Sequence, residues 1–204
     1  MEHDGIRIVV IRGSVRPHNY TAMAAALVVD ELRKQARVSV EEVDPAALSL
    51  PLPGTNPNAE GTKILQQKVA AATGVVLATP EYHGSFSSVM KLVIENLGFP
   101  SVLASKPVAR LGVAAGAIGA VKSLEQLRSV VSHIGAMPLP LAVSVANVQK
   151  VFSADGQCLD PAIEKLVRGV GINLLDYIRQ TVCPRITLEL VLREGPSAVA
   201  AMAG

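Results

Sequence analysis

Ile6-Arg7-Ile8-Val9-Val10-Ile11 runs into Gly13-Ser14 and is followed by an Ala- and Leu-rich stretch from Tyr20 to Gln35. A short β-branched run closed by a small-residue turn has the pattern of a buried strand leaving a sheet. The stretch after it spaces Ala26, Val29, Leu32 and Ala36 for one helical face. Strand, loop and helix then recur. Val38 to Val43 reads as the second strand and Thr62 to Ala72 as a helix. Gly74-Val75-Val76-Leu77-Ala78-Thr79 is a fully apolar third strand that stops at Pro80. Ser85 to Leu97 reads as a helix, Pro107 to Ala114 as a strand, Ala120 to Ile134 as a helix, Leu139 to Val145 as a strand and Pro161 to Gln180 as a helix. Strands alternating with helices predict an α/β, doubly wound five-stranded parallel sheet, covered on both faces by right-handed crossovers. Five strands favour the order 2-1-3-4-5, which places a ligand at the carboxyl ends of the first and third strands.

Two segments fall outside this alternation. Asp44 to Gly61 is rich in Pro, Gly and Asn, and Pro51, Pro53 and Pro57 oppose regular structure there. Its length suggests a functional loop or a rim of the site. From Arg185 to Gly204, Ile186, Leu188, Leu190 and Leu192 alternate with Thr187, Glu189, Val191 and Arg193. That pattern fits a short strand, a subunit-contact arm or an extension with little fixed structure. Residues 1–183 are therefore expected as one domain and 184–204 as a tail.

A chain of 204 residues fits one domain. Half of it is hydrophobic and only 18% charged, with Ala and Val rather than aromatics supplying the apolar content. This suits helices packed on a buried sheet and argues against global disorder. A net charge of +2, with Lys and Arg scattered, provides no nucleic-acid footprint. Cys158 and Cys183 form neither a Cys-x-x-Cys pair nor a zinc-ligand pattern, and read as reduced thiols of a cytoplasmic protein. The start, Met-Glu-His-Asp, lacks the basic flank and cleavage site of a signal peptide. No apolar stretch approaches the roughly 18 residues expected of a membrane span.

Chemistry is expected in the loops at the carboxyl ends of the strands. The first, Gly13-Ser14-Val15-Arg16-Pro17-His18-Asn19-Tyr20-Thr21, leads straight into a helix. A helix start offers unpaired N–H groups and a positive dipole end, to which Ser14, Asn19 and Thr21 add short polar side chains. Arg16 adds a permanent charge able to hydrogen-bond two phosphate oxygens at once. The loop therefore suits a phosphate monoester. It has neither the Lys-Ser/Thr pair of a nucleoside-triphosphate loop nor the Gly-x-Gly-x-x-Gly of a dinucleotide loop. In a plainer reading, Ser14 and Thr21 only cap the helix and Arg16 is a solvated cation.

The second loop, Thr79-Pro80-Glu81-Tyr82-His83-Gly84-Ser85, is a proline-stiffened turn carrying an aromatic ring. A flat heteroaromatic ligand needs backbone donors and acceptors along its edge and apolar surface against its face, and this turn offers both. Taken singly, Tyr82 reads as a half-buried surface ring and His83 as a polar turn residue. The third loop, Ala114-Ala115-Gly116-Ala117-Ile118-Gly119-Ala120, permits close backbone approach by a ligand, or simply tight strand-to-helix packing.

Together these loops resemble the NAD(P)H-dependent FMN reductase family, which includes azoreductases, quinone reductases and chromate reductases. Gly13, Ser14, Arg16, Pro80, Glu81, Tyr82, His83, Ser85 and Lys91 match its motifs in order, and Glu125-Gln126-Leu127-Arg128 resembles its fourth helix. The similarity spans roughly Ile6 to Val145. It implies a flavodoxin-like fold, with FMN phosphate on Ser14, Arg16, Asn19, Tyr20 and Thr21 and the isoalloxazine ring along Pro80, Glu81, Tyr82 and His83 and near Gly116. It also implies NAD(P)H as electron donor, ping-pong transfer to a quinone, azo compound, free flavin or metal oxyanion, and a homodimer or homotetramer. No catalytic side chain is strictly required, and His83 is a candidate proton donor. No metal, nucleic acid or membrane partner is expected.

Three departures from the family pattern fall on the third helix: Ser87-Ser88 replaces Pro-Gly, Leu92 replaces Asn, and Glu95-Asn96 replaces Asp-Trp. Family members use this helix in dimer contacts, so the departures bear on the subunit interface more than on the flavin. Its apolar stripe of Phe86, Val89, Met90, Val93, Ile94 and Leu97 reads as core. Two rival functions remain on the residues alone, a flavodoxin-type electron carrier and a flavin redox sensor. Such carriers are usually acidic, whereas this chain is slightly basic.

Overall fold

A computed structural model of the chain describes residues 5–56 and 58–195. Strand β1 (Ile6–Arg12) leads into helix α1 (Tyr20–Arg33), and β2 (Val38–Val43) lies parallel beside β1. After a short 3-10 turn at Pro45–Ala47 and the Pro-rich loop come α2 (Glu60–Ala71), β3 (Gly74–Tyr82), a two-residue strand β4 (Ser85–Phe86) and α3 (Ser88–Glu95). Next are β5 (Pro107–Val113), α4 (Val121–His133), β6 (Met137–Pro138), β7 (Val143–Val145), α5 (Val148–Val151), α6 (Pro161–Tyr177) and α7 (Cys183–Glu194). The sheet order is β2-β1-β3-β5-β6, with β4 added to β3 and β7 to β5. Counting β6 and β7 as one interrupted strand, this is the expected 2-1-3-4-5 order and a flavodoxin-like α/β fold.

Both faces of the sheet are apolar because successive strand residues point to opposite sides. Ile8 and Val10 of β1 join Val76, Ala78 and Leu111 in one core, closed by Val28 and Leu32 of α1 and Val167 and Leu174 of α6. Val9 and Ile11 join Val75, Leu77 and Val108 in the other, closed by Leu65 of α2, Val93 of α3 and Leu127 of α4. The inward face of α1 is rotated from the sequence expectation. Ala24, Ala25, Val28, Val29 and Leu32 are buried, whereas Ala26 is exposed and Ala36 lies exposed beyond the helix end.

Three further elements differ from the sequence reading. The third strand continues through Pro80 to Tyr82 and folds back as a hairpin, so α3 starts at Ser88 rather than Ser85. The fifth strand is interrupted. Pro138 and Pro140 supply no N–H to a ladder, and Leu141 takes a φ of 61°. Arg110, 4% exposed, fills the gap by donating from Nη1 to the Leu124 carbonyl at 3.0 Å and from Nη2 to the Leu139 carbonyl at 2.7 Å. Burial holds its pKa below the ordinary arginine value.

The tail is the third difference. α6 passes through a π-helical turn at Ile178–Val182 into α7, so the alternation at Ile186 to Arg193 is carried by a helix rather than a strand. Pro184, with no N–H and a ring that crowds the preceding turn, accounts for the widened turn ahead of it. α7 has no buried residue. Residues 196–204 of the tail, like Pro57 of the loop, lie outside the described residues.

The start of α4 sits hard against the sheet. A Cβ on Gly112 of β5 would stand 2.6 Å from the Ala120 Cβ and 2.9 Å from the Leu124 Cγ. Gly112→Ala should therefore push out the first turn of α4 and lower the unfolding free energy by about 1 to 3 kcal/mol, the range for overpacking. Urea denaturation measures this, and an unchanged midpoint would show that α4 yields freely.

Candidate flavin site

The loops after β1, β3 and β5 converge at the carboxyl edge of the sheet around a cavity of about 350 Å³. Its walls are Arg16 to Thr21, Pro80 to Tyr82, Val113 to Ala115, and Val148 at the start of α5. One end is the start of α1. Asn19 caps this helix, its Oδ1 accepting from the Ala22 N–H at 2.8 Å, while its Nδ2 donates to the Arg16 carbonyl at 2.6 Å. Both ends of the Asn19 amide are thus committed to shaping the loop. The first two helical N–H groups, of Tyr20 and Thr21, have no acceptor among the described residues.

The plainer reading of the loop fails for the cap, while Arg16 is exposed as that reading has it. The cap is Asn19 rather than Ser14 or Thr21, whose hydroxyls make no hydrogen bond among the described residues although the two residues are 5% and 1% exposed. Arg16 reaches across the cavity, its guanidinium carbon 5.0 Å from the centroid of the Tyr82 ring. Such a contact is worth about 0.5 to 1 kcal/mol at an exposed site.

The second loop is a two-residue hairpin. Glu81 pairs with Phe86 and Tyr82 with Ser85, and His83 and Gly84 turn with φ of 51° and 72°. Two consecutive positive φ values match a type I′ turn, for which Gly at the second position carries no Cβ penalty. This turn is braced against α4: Ser85 Oγ donates to Gln126 Oε1 at 2.7 Å, and Gln126 Nε2 donates to the Gly84 carbonyl at 2.9 Å. Glu81 Oε2 accepts from the Ser123 N–H at 3.0 Å, in the first turn of α4. Its charge is therefore opposed by the positive end of that helix dipole.

Ser87 joins the two loops. Its Oγ donates to the Gly13 carbonyl at 2.5 Å and accepts from the Met90 N–H at 3.0 Å, capping α3. Its backbone N–H donates to Thr79 Oγ1 at 3.2 Å. Asn96 is equally occupied. Its Oδ1 accepts from Thr62 Oγ1 at 2.6 Å and its Nδ2 donates to the Pro51 carbonyl at 3.0 Å, fastening the Pro-rich loop to α3 and α2. Two of the three departures on α3 thus have work inside the subunit.

The structure gathers Arg16, Asn19, Tyr20, Thr21, Pro80, Glu81 and Tyr82 around one cavity. Ser14 opens on its far side, into a second cavity that shares the Arg16 to Asn19 wall. His83 is exposed on the outer turn, and Gly116 is exposed beyond Ala115; neither lines the cavity. The Gly116 carbonyl accepts from the N–H groups of Gly119 and Asn147, which fixes the third loop. His18 and Val148 line the cavity without having been expected. Position in the loop could have marked His18, but Val148 comes from a segment with no sequence motif.

The sequence matches the family model for NADPH-dependent FMN reductase over residues 6–150. The chain belongs to that family. It is 30% identical over 175 residues to an NADPH azoreductase of Bacillus sp. (strain OY1-2), covering 84% of this chain and 94% of the relative. It is 26% identical to an NAD(P)H-dependent FMN reductase of Pseudomonas aeruginosa, covering 81% of this chain and 91% of the relative. Among solved structures, the flavoenzyme NAD(P)H:(acceptor) oxidoreductase of Paracoccus denitrificans shares the fold, with a TM-score of 0.71 at 21% identity over 86% of this chain and 98% of that one. A flavodoxin, WrbA-like protein of Agrobacterium tumefaciens has a TM-score of 0.59 at 15% identity, covering 86% of this chain and 98% of that one.

For this reductase-family chain, Ser87→Ala removes the α3 cap and leaves the Gly13 carbonyl without its donor. The unfolding free energy should fall by about 1 to 3 kcal/mol. Thermal or urea unfolding checks it, and Ser87→Thr, which keeps the hydroxyl, should recover most of the loss.

Proposed function

We propose that the chain binds FMN in the cavity between α1 and the end of β3, and uses NAD(P)H to reduce a second small-molecule acceptor. What carries the reading is the composition of that cavity. One end presents open helical N–H groups and a guanidinium with no carboxylate partner among the described residues, and the other presents apolar strand-end surface. Arg16 and the N–H groups of Tyr20 and Thr21 hold the phosphate at this end, with Ser14 reaching it from the adjoining cavity across the shared Arg16 to Asn19 wall. Pro80 to Tyr82 and Ala114 to Ala115 flank the ring. Bound FMN supplies the redox chemistry, taking two electrons from reduced nicotinamide and giving them to the acceptor.

The chain itself binds, orients and sets the local charge. Glu81 is half-buried and held by α4, so its carboxylate braces the ring shelf from behind. Tyr82, 38% exposed, offers its ring at the cavity rim. His83 holds the hairpin turn. The acceptor is drawn from quinones, azo compounds, free flavin or metal oxyanions, and the apolar Pro80 and Val113 to Ala115 favour the aromatic members. The relatives named for azo and FMN reduction support the azo and flavin members of that range. None of the described helices is long and apolar enough to cross a membrane. The two thiols are free and half-buried, which agrees with a reducing cytoplasm. We also take the working form to be a homodimer or homotetramer. Phe99, 97% exposed, and the apolar Ile186, Leu188 and Leu192 of α7 support this, since such surface is usually covered.

Purified protein should show an oxidised-flavin spectrum that bleaches on anaerobic addition of NADPH. Protein that stays colourless and cannot be loaded with FMN sinks the reading, while loaded protein that NADPH does not bleach is an electron carrier. Arg16→Ala should weaken FMN binding by about 1.5 to 3 kcal/mol, the range for a hydrogen bond to a charged group. Flavin fluorescence titration measures it, and an unchanged affinity removes Arg16 from the site. Light scattering should give a multiple of the chain mass, and a monomer at micromolar concentration would remove the assembly.

A further inference from the structure

The wall of the flavin cavity that borders the ring leaves the main sheet partway along. Pro80 is the last residue of β3 paired with β5, opposite Val113. Glu81 and Tyr82 lie beyond that ladder and, among the described residues, pair only with β4, a strand of two residues. A hairpin of two residue pairs does not hold its place in water unaided. What fixes Tyr82 at the cavity must therefore come from outside the hairpin.

Helix α4 supplies it. Ser123 donates its N–H to Glu81 Oε2 at 3.0 Å, and a Cβ on Gly84 would stand 3.5 Å from the Lys122 Cδ. One turn further on, Gln126 spans the turn itself: its Oε1 accepts from the Ser85 hydroxyl at 2.7 Å and its Nε2 donates to the Gly84 carbonyl at 2.9 Å. Both ends of one planar amide hold adjacent residues, which fixes the hairpin in direction as well as distance. The platform beneath is rigid. Ser144 Oγ of β7 accepts from the Ala120 N–H at 2.8 Å at the start of α4, and Gly112 lets the helix sit hard against β5. Gln126 is exposed and does not line the flavin cavity. Water takes over both of its bonds when the side chain is removed, so its contribution to stability is small. Its effect on geometry is larger, because misplacing an orienting group by about 1 Å can cost about 100-fold in rate.

We propose that Gln126 is a positioning residue for flavin reduction: its amide holds the hairpin so that Tyr82 borders the ring in the geometry that hydride transfer needs. The proposal rests on the reading that the cavity takes FMN and that NAD(P)H reduces it. Gln126 acts through Gly84 and Ser85 and touches neither reactant. Its removal therefore slows reduction while flavin binding, anchored at the phosphate end of the cavity, persists.

The test uses Gln126→Met, which keeps the length of the side chain and loses both hydrogen bonds. Hydrogen exchange read by mass spectrometry, with and without FMN, should rise about tenfold in peptides covering 79–87 and keep the parent's rate in those from β1 and β5. In stopped flow, the rate of flavin reduction at saturating NADPH should fall about tenfold per bound flavin, while the FMN dissociation constant changes by less than about twofold. Ser85→Ala should give a smaller loss of the same kind and add nothing in the Gln126→Met background, and Ser85→Thr, which keeps the hydroxyl, should restore the parent's rate. A lower urea midpoint at the parent's reduction rate makes Gln126 a structural staple and overturns the proposal. A rate that falls only in step with lost FMN also overturns it, as does a hairpin that exchanges no faster than in the parent. In protein that binds FMN but is not bleached by NADPH, the donor reading fails by itself. Raised exchange with altered visible circular dichroism of the bound flavin then still supports positioning by Gln126, and unaltered dichroism overturns it.

Discussion

The site depends on one residue at the end of β1, Gly13. The Gly13 N–H donates to the Ala78 carbonyl of β3 at 2.7 Å, and the Gly13 carbonyl accepts from Ser87 at the head of α3. The first bond carries the ladder beyond the last paired residues of the two strands, and the second ties the chain that follows the hairpin to the loop that precedes α1. Two of the walls of the flavin cavity are reached from this point within a few residues, and Val113 to Ala115 and Val148 supply the rest. The loop to α1 springs from Gly13, the Pro80 to Tyr82 shelf continues from Ala78, and the hairpin returns to Ser87. A site built on loops is here stiffened by the same hydrogen bonds that end the sheet.

The fold was legible in the sequence because its signals are local and repeated. Apolar runs such as Gly74 to Thr79 have no polar alternation, as expected of strands covered on both faces, and the alternation with helices left few orders for the sheet. The loops were legible for a related reason: a parallel sheet puts all strand exits on one edge, so three loops far apart in sequence had to meet. Family motifs then singled out Arg16 and Tyr82, which the structure brings within cation–π range of each other.

What stayed hidden depends on partners distant in sequence. Ser85 to Leu97 reads as one helical segment, yet its first two residues pair with Glu81 and Tyr82, because His83 and Gly84 both accept positive φ. Histidine at the first turn position lacks the strength of the Asn-Gly or Asp-Gly signal. The interruption of the fifth strand is filled by Arg110, a charge in a seven-residue apolar-looking strand whose role appears only once Leu124 and Leu139 are seen beside it. In the tail, spacing by two masked a helix: Ile186, Leu188 and Leu192 are all exposed, so no buried face imposed a readable period.

The position of Arg16 links the two ends of the cavity. Among the described residues its side chain meets the ring of Tyr82, so the cation that would take a phosphate rests on the aromatic that would border a ring. A cation–π contact at an exposed site contributes about 0.5 to 1 kcal/mol, whereas a charged hydrogen bond contributes about 1.5 to 3 kcal/mol. Under the proposed function, a phosphate monoester at the start of α1 therefore draws Arg16 away and uncovers Tyr82. A flavin lacking the phosphate has no means of displacing the arginine and meets a partly covered shelf. Selectivity for the phosphorylated flavin then comes from the margin by which the direct bond to phosphate exceeds the cation–π contact it replaces. Asn19 holds the Arg16 carbonyl in place, so the loop is fixed by a bond that does not depend on where the Arg16 side chain rests.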